Sequence, residues 1–486
     1  MSVTLKILSL KFQAHISKEV VLILLSSIIM LVVSPWFDNV DQFNVYSGFI
    51  SLYYTHNLYS LYVYSYPPLP VYFDWIPLTL LHLFVPFSNW NSYSNIANSL
   101  AQQIGFLSPV VFAPLFNLAY KIPMIVSTVI TAVLLLKIGK RIGLPKRKLD
   151  FFLTLYLFNP FIIYESAIHA PIDCFIPPLV TGFVYTITFR KPFAAGFITS
   201  IGIFTIIFPT YLLVLFAGFF VTQLILGGKT NWKNPSRDLL LFLAGVSLPV
   251  IILLPYLGNF IHLIEGLFVP GSTLFLSYSN TGIWGIFNSS FGILSTLGRE
   301  NTKFFTLYIS HIILLVDVFL FILVGVFIAN NEKAYQRDDN IKLIKNCKLL
   351  TLSILILLIG LTDANPWGYL WFLPLLLIVA LGNKLLTAIY IATSSWALIF
   401  EVFFLGGPIF NLFPLSIYTH VISAQTLVNL SLRFWNYFWV SHQHFLWNFS
   451  SLTGGILLLI SISFVALSKT DRESHLKVEY ISNKDW

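Results

Sequence analysis

The sequence predicts an all-α polytopic membrane protein of about twelve transmembrane helices, with interfacial helices in its first external loop. Three observations carry this. Hydrophobic residues make up 57% of the 486 residues and charged residues only 10%, against about 25% charged in an ordinary soluble domain. Apolar runs recur that are long enough for a ~30 Å hydrocarbon core, which takes roughly 20 helical residues. The basic residues fall in a few short clusters between those runs, the pattern that orients a membrane protein. The net charge of +8 therefore reads as a topology signal, and nucleic acid is not an expected partner.

The first span is placed at about 20–34. It is read as retained, because Ser34-Pro35-Trp36 is a poor small-residue cleavage site. The basic clusters run from Lys137 to Lys148, through Arg190-Lys191, from Lys229 to Arg237, from Lys333 to Lys348, at Lys384, and along the tail from Lys469. The positive-inside rule puts them all on the cytoplasmic side, with Lys6, Lys11 and Lys18 of the N-terminal segment. If 20–34, 68–87 and 117–137 all crossed, the most basic loop would face outward. The segment from Pro68 to Phe87, with four prolines, Asp74 and His82, is the one expected to lie flat in the outer interface.

Residues 35–117 then form one large external loop, 118–256 the core spans, 257–304 a second external loop, 305–468 the C-terminal spans and 469–486 a cytoplasmic tail, all within a single polytopic domain spanning 1–486. The further spans are expected near 149–166, 172–190, 193–208, 210–227, 238–256, 305–329, 349–362, 366–382, 385–405 and 452–468, with both termini inside. Span 193–208 is short and ends at Pro209, which allows a broken or re-entrant helix. No repeat of 20–50 residues is visible and no soluble domain is expected at either end. Cys174 and Cys347 fall on opposite sides, so no disulfide is expected. The sequons at Asn288, Asn429 and Asn448 all fall in expected external loops.

Asp38 and Asp41 stand directly after the first span, ahead of a tyrosine-rich run ending in Tyr66-Pro67-Pro68-Leu69-Pro70. One reading is an N-cap for a helix from about Gln42 to Tyr54. The other is a general base at the membrane surface, among aromatic residues able to meet a sugar face. Lys121, at the outer mouth of its helix, runs against the positive-inside bias. It either snorkels to the headgroups or offers a cation to a leaving phosphate. Arg299, Lys303 and Arg433 are the other external cations. His169 and Asp173 could position an acceptor or form a solvated turn, and the turn is preferred for His169. Asn365 and Trp367 line either a lipid groove or an ordinary interfacial belt. Tyr66-Pro67-Pro68 reads as a break between two interfacial helices.

An acidic residue after the first span, two interfacial helices and Tyr66-Pro67-Pro68-Leu69 together resemble the GT-C class of integral-membrane glycosyltransferases. Lys121-Ile122-Pro123 with the following span resembles the second span of that class. Asn159-Pro160 followed by His169-Ala170-Pro171-Ile172-Asp173 resembles its Asn-Pro…Gly-Gln-x-Asp stretch, with Gly-Gln replaced here. Asn365-Pro366-Trp367 through Pro374 resembles a late-span motif of its mannosyltransferases. The resemblance implies a polyprenyl- or dolichyl-phosphate sugar as donor, a glycan, lipid or protein acceptor, inversion at the anomeric carbon and no metal cofactor. It favours Asp41 over Asp38 as base, because Tyr46 follows Asp41 on the expected helix much as an aromatic does in the class. It implies a multi-pass protein of a prokaryotic cell membrane or the endoplasmic reticulum, with its site on the external or lumenal face.

Three rivals share parts of this layout. A secondary transporter or lipid flippase would show internal repeats and mid-span charge, whereas here mid-span charge is nearly absent, with Asp317 the clear exception and Glu401 near a span end. A non-catalytic subunit of a glycosylation complex would tolerate loss of both aspartates. An oligosaccharide-to-protein transferase would carry a sizeable soluble domain after its spans.

Overall fold

In the first described helix, α1 (Lys18–Val33), the Ser17 hydroxyl accepts the Val20 N–H and Glu19 occupies the first turn, where the helix dipole favours a carboxylate. Helix α1 ends in a 3-10 turn, Ser34–Trp36, with Pro35 near its start. The computed structural model describes residues 17–38, 40–56, 58, 67–93, 110–206, 208–227, 233–253, 299–335, 338–360, 366–403 and 443–468, with isolated positions between 414 and 433.

After α1 come α2 (Val40–Thr55) and α3 (Leu69–Phe84), then a short antiparallel ladder of β1 (Asn91–Tyr93) and β2 (Val110–Phe112), with Asn91 opposite Phe112. Helix α4 (Pro114–Arg141) is followed by α5 (Lys146–Leu157) and α6 (Pro160–Tyr164), which runs on as a π-helical turn, Glu165–His169. A 3-10 turn, Ile172–Phe175, leads into α7 (Ile176–Thr188), α8 (Pro192–Ile203), α9 (Thr210–Gly227) and α10 (Lys233–Leu253). The last group is α11 (Arg299–Ala334), α12 (Asp339–Gly360), α13 (Leu373–Val379), α14 (Lys384–Phe403) and α15 (Gln443–Leu467).

The protein is mostly helical. Among the described residues, five helices are long and apolar enough to cross a membrane: Lys18–Trp36, Pro114–Arg141, Asn234–Leu253, Leu315–Ala334 and Lys384–Val402. The pair Lys146–Leu157 and Pro160–His169, bent by 46°, makes a sixth if it is one span. Several expected spans take other forms. The segment 366–382 is a 3-10 turn, Pro366–Trp371, followed by the seven-residue α13. The segment 149–166 breaks at Asn159-Pro160, because proline removes an N–H and disfavours helix at the preceding residue. Asn159 caps the new helix by accepting the Phe161 N–H at 3.0 Å, and its amide donates to the Tyr390 hydroxyl at 3.1 Å. The segment 193–208 ends as a helix at Ile203, short as its sequence suggested. Asn448, expected in an external loop, lies on α15.

Two helix pairs meet backbone to backbone. A Cβ added at Gly218 of α9 would stand 2.3 Å from the Ile322 carbonyl oxygen of α11, and one at Gly325 would stand 2.1 Å from that of Leu215. Helices α8 and α10 cross in the same way at Gly196, against Phe242. Glycine lets helices approach closely where packing rather than water exclusion drives association.

Ion pairs gather at the end of the bundle where the basic loops lie. Lys18 pairs with Asp150 at 3.3 Å, Arg141 with Asp339 at 3.6 Å, and Arg190 with Glu332, which also accepts from Gln223 at 2.6 Å. Lys121, about two turns into α4, and Arg141, its last residue, stand about 30 Å apart at 1.5 Å per residue.

Candidate functional site

The start of α4 positions the first cluster. Lys121 and Asn117 share one face, four residues apart, and both are completely buried. The Lys121 ammonium donates to the carbonyl oxygens of Phe37 at 2.7 Å and Ser34 at 3.2 Å. The Asn117 amide donates to the Pro35 carbonyl at 3.1 Å. Two side chains of α4 thus hold the turn that leaves α1, and Asp38 is the next residue along it. Asp38 is partly buried, and its Oδ1 is enclosed with no hydrogen-bond partner among the described residues. Burial pushes the Asp38 carboxyl up; the Asn117 side chain, the Lys121 charge and the Phe112 N–H pull it back toward the ionised form.

Lys121 therefore takes neither role expected of it. It does not snorkel to headgroups and does not present its ammonium to an open site; its donors are directed at backbone carbonyls. Buried carbonyls without donors would each cost about 1–3 kcal/mol, which gives this lysine a reason to be turned inward.

Asp41 lies in the first turn of α2, and its side chain falls outside the described residues. Tyr46 belongs to an aromatic cluster, with ring centroids 5.6 Å from Phe112, 5.8 Å from Phe116 and 6.4 Å from Trp90. Phe49, Trp75, Phe87 and His82 extend that cluster between α2 and α3. Tyr66 and Asn365 lie outside the described residues. Arg299 and Lys303 are on the first turns of α11 with their side chains undescribed, and Arg433 is exposed.

A second cluster unites two motifs that stand about 200 residues apart in sequence. His169 is half-buried and bonded through Nδ1 to Glu165 at 2.9 Å, so it is not part of a solvated turn. Its ring lies 5.3 Å from that of Trp367. Asp173 is buried and accepts from the Trp371 indole N–H at 2.7 Å. The π-helical turn ends at Ala170, which takes the left-handed conformation (φ 51°) and donates its N–H to Glu165 at 2.7 Å. Helix α4 stitches the segment in place: Tyr120 donates to the Ala170 carbonyl at 3.0 Å, Ser127 to that of Cys174 at 2.6 Å, and Thr128 meets Ser166 at 2.6 Å. Both clusters are thus built on consecutive turns of α4.

Four buried polar groups escaped the sequence reading as site residues: Asn117, Glu165, Glu401 and Asp74. Glu165 carried a usable signal, an acid inside an apolar run with a histidine four residues on. Glu401 carried the same kind of signal, an acid near the end of an apolar run, whereas Asn117 carried none, because its importance depends on which helix it faces.

No protein-family model matches the chain, and no curated protein matches it.

Proposed function

We propose that this chain is an inverting glycosyltransferase. It moves a hexose, with mannose favoured, from a polyprenyl or dolichyl phosphate to an acceptor hydroxyl on the external or lumenal face. The observation that carries this reading is the Asp38 carboxyl, held at the mouth of the bundle by the turn that Asn117 and Lys121 fix, with one oxygen unpartnered. A base in such a setting holds a proton affinity closer to neutral pH than an exposed aspartate, as general-base chemistry favours.

In this mechanism Asp38 takes the proton of the acceptor hydroxyl. The acceptor oxygen attacks the anomeric carbon, the bond from that carbon to the phosphate oxygen breaks, and the lipid phosphate leaves with the electron pair. Lys121 positions Asp38 and supports its ionised form. The counter-charge for the leaving phosphate is assigned to Arg433, Arg299 and Lys303. Asp38 replaces Asp41 as the preferred base, because the turn held by α4 ends on Asp38. The GT-C fold, the twelve spans and the cytoplasmic placement of the basic end belong to the same proposal; the fold link is by analogy. The gathering of ion pairs at the far end of α4 from Asp38 supports the orientation.

The test is transfer in proteoliposomes supplied with polyprenyl-phosphate mannose, polyprenyl-phosphate glucose or nucleotide sugars. The proposal expects a product of inverted anomeric configuration from a lipid-phosphate donor, lost in Asp38→Asn. Transfer from nucleotide sugars alone, or with retention, overturns it. The rival transporter reading draws on Asp317, buried on α11 with Oδ2 unpartnered. Solute or lipid translocation that depends on Asp317, without transfer, would establish that rival.

A further inference from the structure

Beside the turn that carries Asp38, three side chains converge in the protein interior. Glu165 and His169 come from the π-helical turn, and Glu401 comes from the last turn of α14. One ligand atom from each lies within 4.8 Å of the others. Glu165 and Glu401 are almost completely enclosed, and Asp173 lies near enough to add its negative charge to both. No Lys or Arg is paired with either glutamate among the described residues.

The hydrogen-bond count around this group is incomplete. Glu165 Oε1, Glu401 Oε1 and the Tyr164 hydroxyl are all buried without a partner among the described residues. Tyr164 is a geometric observation beside these: its ring centroid lies 6.2 Å from that of His169, and its buried hydroxyl has no partner among the described residues. A proton shared between the carboxyls would pair the two Oε1 atoms and leave the Tyr164 hydroxyl and the negative charge of the group unmet. Buried carboxylates without counter-charge or donors cost several kcal/mol each. A divalent cation would neutralise two charges and take several donors at once.

From this geometry we infer a binding site for a divalent transition-metal ion, coordinated by Glu165, His169 and Glu401. Mixed imidazole and carboxylate donors suit Zn²⁺ or Mn²⁺ rather than Ca²⁺ or a thiolate-selected ion. Around a tetrahedral ion with bonds of about 2.0–2.2 Å, donors stand about 3.3–3.6 Å apart, so a contraction of about 1 Å closes the site. The ion replaces the hydrogen bond between His169 and Glu165. Three protein ligands leave a fourth position open, toward Tyr164 or a water. Asp173, anchored by Trp371, borders the ligands as a supporting carboxylate. The site joins α14 to the segment stitched onto α4, and it does not depend on the identity of the sugar donor or on Asp38 acting as a base.

The experiment uses the full chain in lipid nanodiscs with a non-histidine purification tag. The protein is stripped with a chelator, loaded with Zn²⁺ or Mn²⁺ alone, desalted and analysed by mass spectrometry for bound metal. About one ion per chain is expected, falling roughly tenfold or more in Glu401→Gln and His169→Ala at limiting metal. Metal-free protein after loading, or binding unchanged in both variants, overturns the proposal. Should the variants fail to fold, X-ray absorption on the loaded unmodified chain decides. One imidazole and carboxylate oxygens in the first sphere support the site; a sulfur-containing sphere, or one without imidazole, overturns it.

Discussion

The Lys121 ammonium donates to the Phe37 carbonyl at 2.7 Å, one residue before Asp38. A single buried cation thus fixes the backbone from which the proposed base projects. It is the clearest link between the packing of α4 and the chemistry proposed at its mouth.

Asp38→Asn is expected to lower kcat/KM for transfer by about 10²–10⁴-fold, the usual range for loss of a general base. Asp41→Asn is expected to stay within a few fold of the unmodified protein. Parallel assays with one lipid-phosphate donor compare the two, and the reverse ranking would move the base to Asp41.

Lys121→Met is expected to act on two observables. It leaves the Ser34 and Phe37 carbonyls without their donor, a cost of about 1–3 kcal/mol each, so thermal stability falls. It also removes a charge that lowers the Asp38 carboxyl. A base must be deprotonated to act, so kcat/KM rises with pH, and its rising limb should move to higher pH by about one unit or more. An unmoved pH profile in a folded variant would separate Lys121 from Asp38.

Asp74 on α3 is completely buried, with neither carboxyl oxygen partnered among the described residues, and burial holds it well above the ordinary carboxylate range. The folded state therefore binds this proton more tightly than the unfolded chain. The contribution to stability is full below the unfolded value of 3.8 and is lost as pH rises above it. Asp74→Asn should raise the melting temperature more at pH 8 than at pH 5. A difference independent of pH would mean that Asp74 is ionised in the fold.

Gly325→Leu should separate α9 from α11, since the Leu215 carbonyl occupies the space a side chain needs. Overpacking of this kind costs about 1–3 kcal/mol. Gel-filtration profiles after stepped heating should show earlier loss of the monodisperse peak than in Leu323→Ala, a change at an exposed position of the same helix.

Cysteine labelling tests the orientation. Ser88 and Arg147 are both exposed, and the native Cys174 and Cys347 are buried, which keeps the background low. Ser88→Cys should react with an impermeant maleimide added outside, and Arg147→Cys only after permeabilisation. The opposite pattern would invert the proposed topology.

Much of the helical layout could be read from the chain. Helices α1, α4, α10 and α14 lie within a few residues of their expected bounds, because apolar runs flanked by basic clusters are a local, one-dimensional signal. Helix α2 covers the stretch expected from about Gln42 to Tyr54 but starts at Val40, so Asp41 lies inside it rather than before it. The break at 366–372 was less legible, since an apolar run reads alike whether it is one helix or a 3-10 turn followed by a short one.

By itself, then, the sequence determined a helical, membrane-compatible chain and pointed to Asp41 and Asp38, with His169, Asp173 and Trp367, as candidate site residues beside its apolar spans. Tertiary structure alone decided what those residues meet. It turned Lys121 inward onto the Phe37 carbonyl, brought Trp371 to Asp173, and set Glu401 beside Glu165 across more than 200 residues of chain. Burial and pairing depend on which helix faces arrive together, and no local pattern records that.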